Sequence, residues 1–421
     1  MSGPTLPAFR LMPPALARFS DRAAIMSALA LLIAAGAART RPELARATGL
    51  ARSTITAAIH RLAAFGLVGS TGLGAKPGRG RPPELLMLNP RAGVVAVMDL
   101  TPHHVRNALV GMDQQLLVTN RWRFDLAAGP ESTLAFAGGQ LAAMLEELGN
   151  SSGRLRAIVV SMPGPVDTKR GVAVRPPIMP GWDGYPVTDS LAERFGCACL
   201  ADNDANLIAL AEARVLPPDQ CPLLLVKVGT GIGGGLITST GALHHGADGA
   251  ACDIGHLRVP GVEDVICSCG NVGCIEAVAS AEAITAKLRA ARGDPDLTQA
   301  DAEALARAGD PIATRLIRDA ADKLGETIAA LVHMYNPARV VLTGPLTAAS
   351  DDLLAGVRSV VYFRALPLAT RNLTLAHSAI GGLSGIVGGA VLGIEHVLSP
   401  EAFAEALARP TRPQAASGAD A

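Results

Sequence analysis

The chain has 421 residues, more than one domain usually spans, so two or three domains are expected. With 49% hydrophobic and 18% charged residues and no collagen period, the composition is core-forming and excludes a disordered or fibrous chain. Basic and acidic side chains balance at 37 each, yet residues 1–90 hold 11 basic against 3 acidic, leaving 26 against 34 beyond them. A basic piece on an acidic body points to a nucleic-acid-binding module joined to something else.

Residues 1–19 are Pro-rich and read as a flexible N-terminus. No basic segment followed by a cleavable apolar one stands there, so no secretory leader is expected and the location is cytoplasmic. Mean hydropathy is high, +0.31. The longest apolar stretch, Ala23 to Ala38, is Ala-rich and short of the ~20 strongly apolar residues a membrane span needs. A buried helix over Ser20–Ala35 is expected instead, and no membrane partner.

Thr40-Arg41-Pro42-Glu43 is a capping-box start, and the short helix behind it stops at Gly49. A further helix runs from Arg52 to Ala64 or Phe65, with Ile55, Ile59 and Leu62 inward and Arg52, Ser53, Thr56 and His60 outward. Two short strands, Leu67–Ser70 and Leu85–Leu88, flank a Gly/Pro/Arg-rich segment containing Arg79-Gly80-Arg81-Pro82. That order makes residues 20–90 a winged helix-turn-helix DNA-binding domain. Its recognition helix would present Arg52, Ser53, Thr54 and Thr56 to base edges of double-stranded DNA. Arg79 and Arg81 would enter a narrow minor groove. Ser53 and Thr54 could instead merely cap the helix, and the Arg79–Pro82 stretch could be a solvated linker.

From Gly93 the pattern becomes α/β. Strands are expected at Val94–Asp99, Val105–Gly111 and Gln115–Trp122, before a helix over Ser132–Leu148 and a strand over Leu155–Met162. Asp202-Asn203-Asp204-Ala205-Asn206 follows an apolar stretch, where strand ends of α/β folds face a ligand crevice; a turn or helix cap is the alternative. Gly229–Gly235 leads into strand-like Leu236-Ile237-Thr238, so it reads as a glycine turn and not a dinucleotide loop. Further strands are read at Leu223–Val228, Val340–Leu342 and Leu373–Ala376. Helices fill most of Ala281–Tyr335, and a last one covers Ile386–Leu398.

Three of the seven cysteines crowd into Cys267-Ser268-Cys269-Gly270-Asn271-Val272-Gly273-Cys274. Such spacing suits three thiolates of a tetrahedral, structural Zn²⁺ site in a reducing compartment, with His256 as candidate fourth ligand. Residues 401–421 read as a disordered tail.

The Cys-x-Cys-Gly-x-x-Gly-Cys-x-Glu stretch, Asp253-Ile254-Gly255-His256 and Asn203-Asp204-Ala205-Asn206 together resemble the ROK family of repressors, open reading frames and sugar kinases. The resemblance covers residues 91–400, and the winged helix matches the family's transcriptional-regulator branch. It implies a two-lobed, actin-like (ribonuclease H-like, sugar-kinase-type) ATPase fold with a sugar in the cleft. It also implies sugar contacts from Asn203, Asp204, Asp253, His256 and Glu276, and zinc held by His256, Cys267, Cys269 and Cys274. Asp204 stands where kinases place the general base, and Asp253 where the family usually has Glu.

The kinases' Asp-x-Gly-Gly-Thr phosphate turn is here Asp99-Leu100-Thr101-Pro102-His103-His104, with both glycines missing. Pro102 has no N–H for phosphate, and side chains block the close approach that glycine permits. The expectation is therefore a non-enzymatic, sugar-responsive transcriptional regulator, a repressor, with no catalytic residue assigned. Its partners would be a DNA operator, a small sugar or sugar-phosphate effector, and its own copies as a dimer or tetramer. An ATP-dependent sugar kinase retaining a DNA-binding arm is the enzymatic alternative; a body that only oligomerises is the third.

Overall fold

In the computed structural model, residues 5–12, 21–73, 84–149 and 154–408 are described. The Asp21 carboxylate accepts from Ala24 N–H at 2.8 Å and starts α1 (Arg22–Ala34). At α2 (Arg41–Thr48) the capping box forms: Thr40 Oγ1 accepts from Glu43 N–H at 3.3 Å, and the Glu43 carboxylate accepts from Thr40 N–H at 3.1 Å. Gly49, at φ 71°, ends that helix in the left-handed conformation that glycine adopts without strain. Helix α3 (Arg52–Ala64) buries Ile55, Ala58, Ile59 and Leu62. Strands β1 (Val68–Leu73) and β2 (Glu84–Leu88) pair antiparallel, Val68 opposite Leu88. The wing tip between them, with Arg79 and Arg81, lies outside the described residues.

The body contains two sheets built to one plan. In the first, β3 (Val94–Thr101), β4 (His104–Gly111) and β5 (Leu116–Arg123) form an antiparallel meander. Helix α4 (Pro130–Leu148) leads to β6 (Leu155–Met162). The small pair β7 (Val166–Asp167) and β8 (Val172–Ala173) then precedes α5 (Val187–Phe195) and β9 (Ala198–Asn203). The order is β5-β4-β3-β6-β9, with β6 parallel to β3 and β9 parallel to β6. Helix α6 (Asp204–Val215) leads to the second sheet, which opens on the hairpin β10 (Leu223–Val228) and β11 (Ile232–Ile237). Four helices, α7 (Ile275–Ala279), α8 (Ala281–Arg292), α9 (Gln299–Arg307) and α10 (Pro311–Tyr335), precede β12 (Arg339–Thr343). Then α11 (Pro345–Ala349), α12 (Asp352–Arg364) and α13 (Pro367–Thr370) precede β13 (Thr374–His377). The order is β11-β10-β12-β13, again a hairpin followed by two parallel strands. This duplication is the two-lobed plan expected from the sequence. Helix α14 (Ser384–Val397) returns to the first lobe and packs on α6, β3 and β6, and α15 (Pro400–Ala408) follows it.

Helices α6 and α14 approach closely. A Cβ on Gly388 would stand 1.9 Å from the Leu207 carbonyl oxygen, so only glycine fits there. The apolar stretch from Ala23 is explained by what covers α1, namely α3, β2 and α15. Among the described residues no single helix is long and apolar enough to cross a membrane; the bent pair α14–α15 passes by composition only, and α14 is core.

Two expectations about the termini are corrected. Residues 5–12 are not loose: Phe9 and Leu11 are buried, Arg10 N–H donates to Arg214 O at 3.0 Å, and Met12 N–H donates to Glu395 Oε1 at 2.7 Å. Apolar side chains and main-chain bonds hold this arm where its prolines suggested freedom. Residues 400–408 are helical, not a tail, because Phe403 gives α15 a buried face against α1. Residues 409–421 lie outside the described part.

Candidate functional site

The metal cluster is assembled by tight turns. Cys267 N–H donates to Asn271 O at 2.8 Å and Gly270 N–H donates to Cys267 O at 2.9 Å. Gly273, at φ 77°, passes so close to Val262 O that a Cβ would stand 2.3 Å from it. The ligand atoms of His256, Cys267, Cys269 and Cys274 all lie within 4.8 Å of one another. Cys269 Sγ is 3.7 Å from Cys274 Sγ, and Cys267 Sγ is 3.7 Å from His256 Nδ1. A tetrahedron with Zn–S bonds of ~2.3 Å has ligand-to-ligand edges of about 3.8 Å, so the four atoms are spaced to hold a metal such as zinc. They are too far apart for a disulfide, whose sulfurs stand ~2.05 Å apart.

Around α6 the strand-to-helix junction is densely hydrogen-bonded, and of its buried side-chain acceptors Asn206 Oδ1 lacks a partner among the described residues. Asn203 is the cap: its Oδ1 accepts from Ala205 N–H at 2.9 Å and Asn206 N–H at 3.3 Å, and its Nδ2 donates to Gly164 O at 2.7 Å. The alternative of a helix cap is therefore realised at Asn203, which leaves one of its amide protons uncommitted. Asp202 is buried: its Oδ1 accepts from Asn203 N–H at 2.7 Å and Asn206 Nδ2 at 2.9 Å, and its Oδ2 meets His245 Nε2 at 2.7 Å. Asp204, also buried, ion-pairs with Lys227 on β10.

Glu276 links the metal loop to the glycine hairpin. Its Oε2 accepts from Ile232 N–H at 2.9 Å and its Oε1 from Ser268 Oγ at 3.4 Å. The glycines let these pieces touch: a Cβ on Gly231 would stand 2.5 Å from Glu276 Oε2, and one on Gly255 2.2 Å from Ile232 O. Gly235 lies equally tight against Ala209 of α6, at 2.6 Å. The Gly229–Gly235 segment is thus a hairpin, as read from the sequence, and it carries contacts from His256's turn through Glu276 to Asp204's helix. Asp253 is exposed and caps nothing.

A cavity of about 430 Å³ lies between the lobes, lined by residues including Asp99, His104, Arg106, Arg121, Asp204 and Lys227. Of the predicted sugar residues only Asp204 reaches it. Desolvation pushes the Asp99 carboxyl above the usual range, against Ser161 Oγ, which donates at 2.9 Å, and the charge of Arg106. Lys227, Arg106, Arg121 and His104 were missed in the sequence. Lys227 left a signal, a lone charge in the otherwise apolar Leu223–Val228. The pair Asp202–His245, 43 residues apart, left none.

The Asp202 hydrogen bond raises His245 above its ordinary 6.5. Its stabilising contribution is therefore complete below pH 6.5 and is lost as pH rises through the folded-state midpoint. Histidine NMR titration should place that midpoint above 6.5 and show it falling in Asp202→Asn; an unchanged midpoint would refute the pair.

On α3, Arg52, Ser53 and Thr56 are exposed and Thr54 half-buried. The cap of that helix is Ala51, without a side-chain bond, so neither Ser53 nor Thr54 is occupied as a cap.

The profile of the ROK family matches residues 96–396. The chain belongs to the ROK family. The glucokinase of Thermotoga maritima is 32% identical over 254 residues, 56% of this chain and 79% of that protein. The xylose repressor of Bacillus subtilis is 24% identical over 360 residues, covering 85% of this chain and 92% of that protein. Residues 91–421 alone amount to less than 85% of the chain, so the repressor match reaches into the head of this ROK protein. A crystal structure of a ROK family transcriptional regulator, a homolog of the E. coli MLC protein, shares the fold with a TM-score of 0.76 at 23% identity. It covers 91% of this chain and 98% of that one.

Proposed function

We propose that this ROK protein is a sugar-responsive, DNA-binding transcriptional repressor whose body binds its effector without efficient phosphorylation. The observation that carries the reading is the pairing of a helix-turn-helix head with a cleft whose phosphate turn is lost. At Thr101-Pro102-His103-His104 the backbone runs from β3 into β4 without the glycines that bring amides onto a nucleotide. Phosphoryl transfer depends on positioning and charge, so this loss works against catalysis. The Lys227 ammonium also sits on Asp204, the carboxylate at the kinase base position.

In this reading Asn203, Asp204, Asp253, His256 and Glu276 surround the sugar. Asp204 and Glu276 accept from its hydroxyls, and Asn203, already tied as a cap, keeps the α6 terminus in place. His256, Cys267, Cys269 and Cys274 would hold zinc through four protein ligands, and the metal would then brace the loop as a structural ion. The protein acts in the cytoplasm as a homo-oligomer, reading an operator with Arg52, Ser53, Thr54 and Thr56 of α3 and with Arg79 and Arg81 of the wing. Coupling requires the effector to bind the operator-free state with different affinity.

Operator titration with a panel of sugars and sugar phosphates tests the reading: one member should shift the binding curve, and a panel that shifts nothing sinks it. Arg52→Ala should relax base preference by about 1–3 kcal/mol at one operator position, read from binding to single-base variants of the operator.

A further inference from the structure

We propose that the interlobe cleft contains a metal-independent subsite for a phosphomonoester, formed by Lys227, Arg106 and Arg121, so that the effector of this chain is a phosphorylated sugar. This rests on the sugar-regulator reading and names the ligand class of that same site.

The cleft lacks the glycine cradle of a kinase, yet cations line it. Arg106 on β4 lies directly opposite Arg121 on β5, and His104 directly opposite Arg123. Residues two apart on a strand share a face, so these four basic groups crowd one side of the hairpin. Like charges directly opposite one another destabilise a ladder. Among the described residues Arg106, Arg121 and Arg123 make no ion pair. The positive field is strong enough to help burial hold His104 below its ordinary value, with Arg121, Arg123 and Arg106 all contributing. An anion between the guanidiniums removes this repulsion.

Lys227 extends the cluster to the sugar end of the cleft. Its ammonium has three donors, and its hydrogen-bond partner among the described residues is Asp204. Asp99, Arg106, Asp204 and Lys227 all line this one cleft. Burial pushes Asp99 toward its neutral form, so the cleft lining sets Lys227, Arg106 and Arg121 beside Asp204 and an Asp99 carboxyl whose charge is disfavoured. A sugar ring on Asp204 sets an ester phosphate beside Lys227, where a point charge and two planar guanidiniums match its oxygens. A nucleotide gains less, because the turn that cradles a polyphosphate chain is missing.

The test uses the full-length protein in magnesium-free buffer. Calorimetric titration with inorganic phosphate should give saturable binding. Aldose phosphates should bind at least about tenfold tighter than their parent aldoses, and Lys227→Met and Arg106→Met should each remove about tenfold or more of that preference. No saturable phosphate binding, equal affinity for aldose and ester, or affinities unchanged in both variants would overturn the subsite. So would ADP binding with the same Lys227 dependence while every aldose phosphate fails, since the source would then be a nucleotide. Wild-type melting behaviour of the unliganded variants guards against misfolding. If phosphate esters bind as expected but none moves the operator curve, the subsite stands and the regulatory reading fails.

Discussion

Cys274→Ser is expected to cost the protein its metal. Elemental analysis should find one equivalent per chain in the wild type and none in the variant. Cys274 is buried, with 1% of its surface exposed, and stands at the N-terminus of α7, so its thiolate can neither be replaced by solvent nor reached by another donor. A serine hydroxyl is a poor ligand for a soft site, and three remaining donors leave the tetrahedron open. Structural zinc contributes roughly 10–16 kcal/mol of apparent binding free energy in small isolated folds, so its loss should disorder the Cys267–Cys274 loop. The damage should spread along a defined route. Glu276 stands two residues beyond Cys274 and holds Ile232 N–H at the glycine hairpin. The variant should therefore lose effector response while operator binding, carried by the head, persists. A variant that keeps a full metal equivalent refutes the ligand set.

Gly388→Ala is expected to damage the body severely. The added carbon would meet Leu207 O at 1.9 Å and Leu207 C at 2.5 Å, both backbone atoms inside α6, which cannot turn aside. Overpacking of this kind costs about 3 kcal/mol, read as a lowered urea midpoint at unchanged slope. Gly139→Ala is the control. It lies in α4, is exposed, and its Cβ would meet only an Arg194 nitrogen at 4.0 Å. There the helix-propensity gain of up to ~1 kcal/mol should appear unopposed. Equal effects at the two sites would show that α6 and α14 are not in backbone contact.

What could be read from the sequence were features whose physics is local. Thr40 and Glu43 are three residues apart, so their capping box is visible as a pattern and forms as written. The cysteine cluster is equally local, and only His256 had to be reached across eleven residues. The glycines of 229–235 spoke for a hairpin because strand-forming residues followed them. The basic face of β4–β5 depends on a register that pairs Arg106 with Arg121, which no spacing reveals. Asn203 matched a sugar-binding motif, and the motif did not reveal that its amide also closes the α6 terminus. The docked arm was hidden because two buried side chains, Phe9 and Leu11, outweigh the prolines around them.

That arm bears on how the molecule can be taken apart. Arg10 binds the last carbonyls of α6, whose other end is capped by Asn203 and begins at Asp204, while α15 lays Phe403 against the first helix of the head. Residues 5–12 and 400–408 thus tie the head, the far end of α6 and the last helices together. A fragment starting at residue 91 would bare the inner side of α15 and strip the far end of α6. Dissection into separate halves would therefore change the very parts it sets out to isolate.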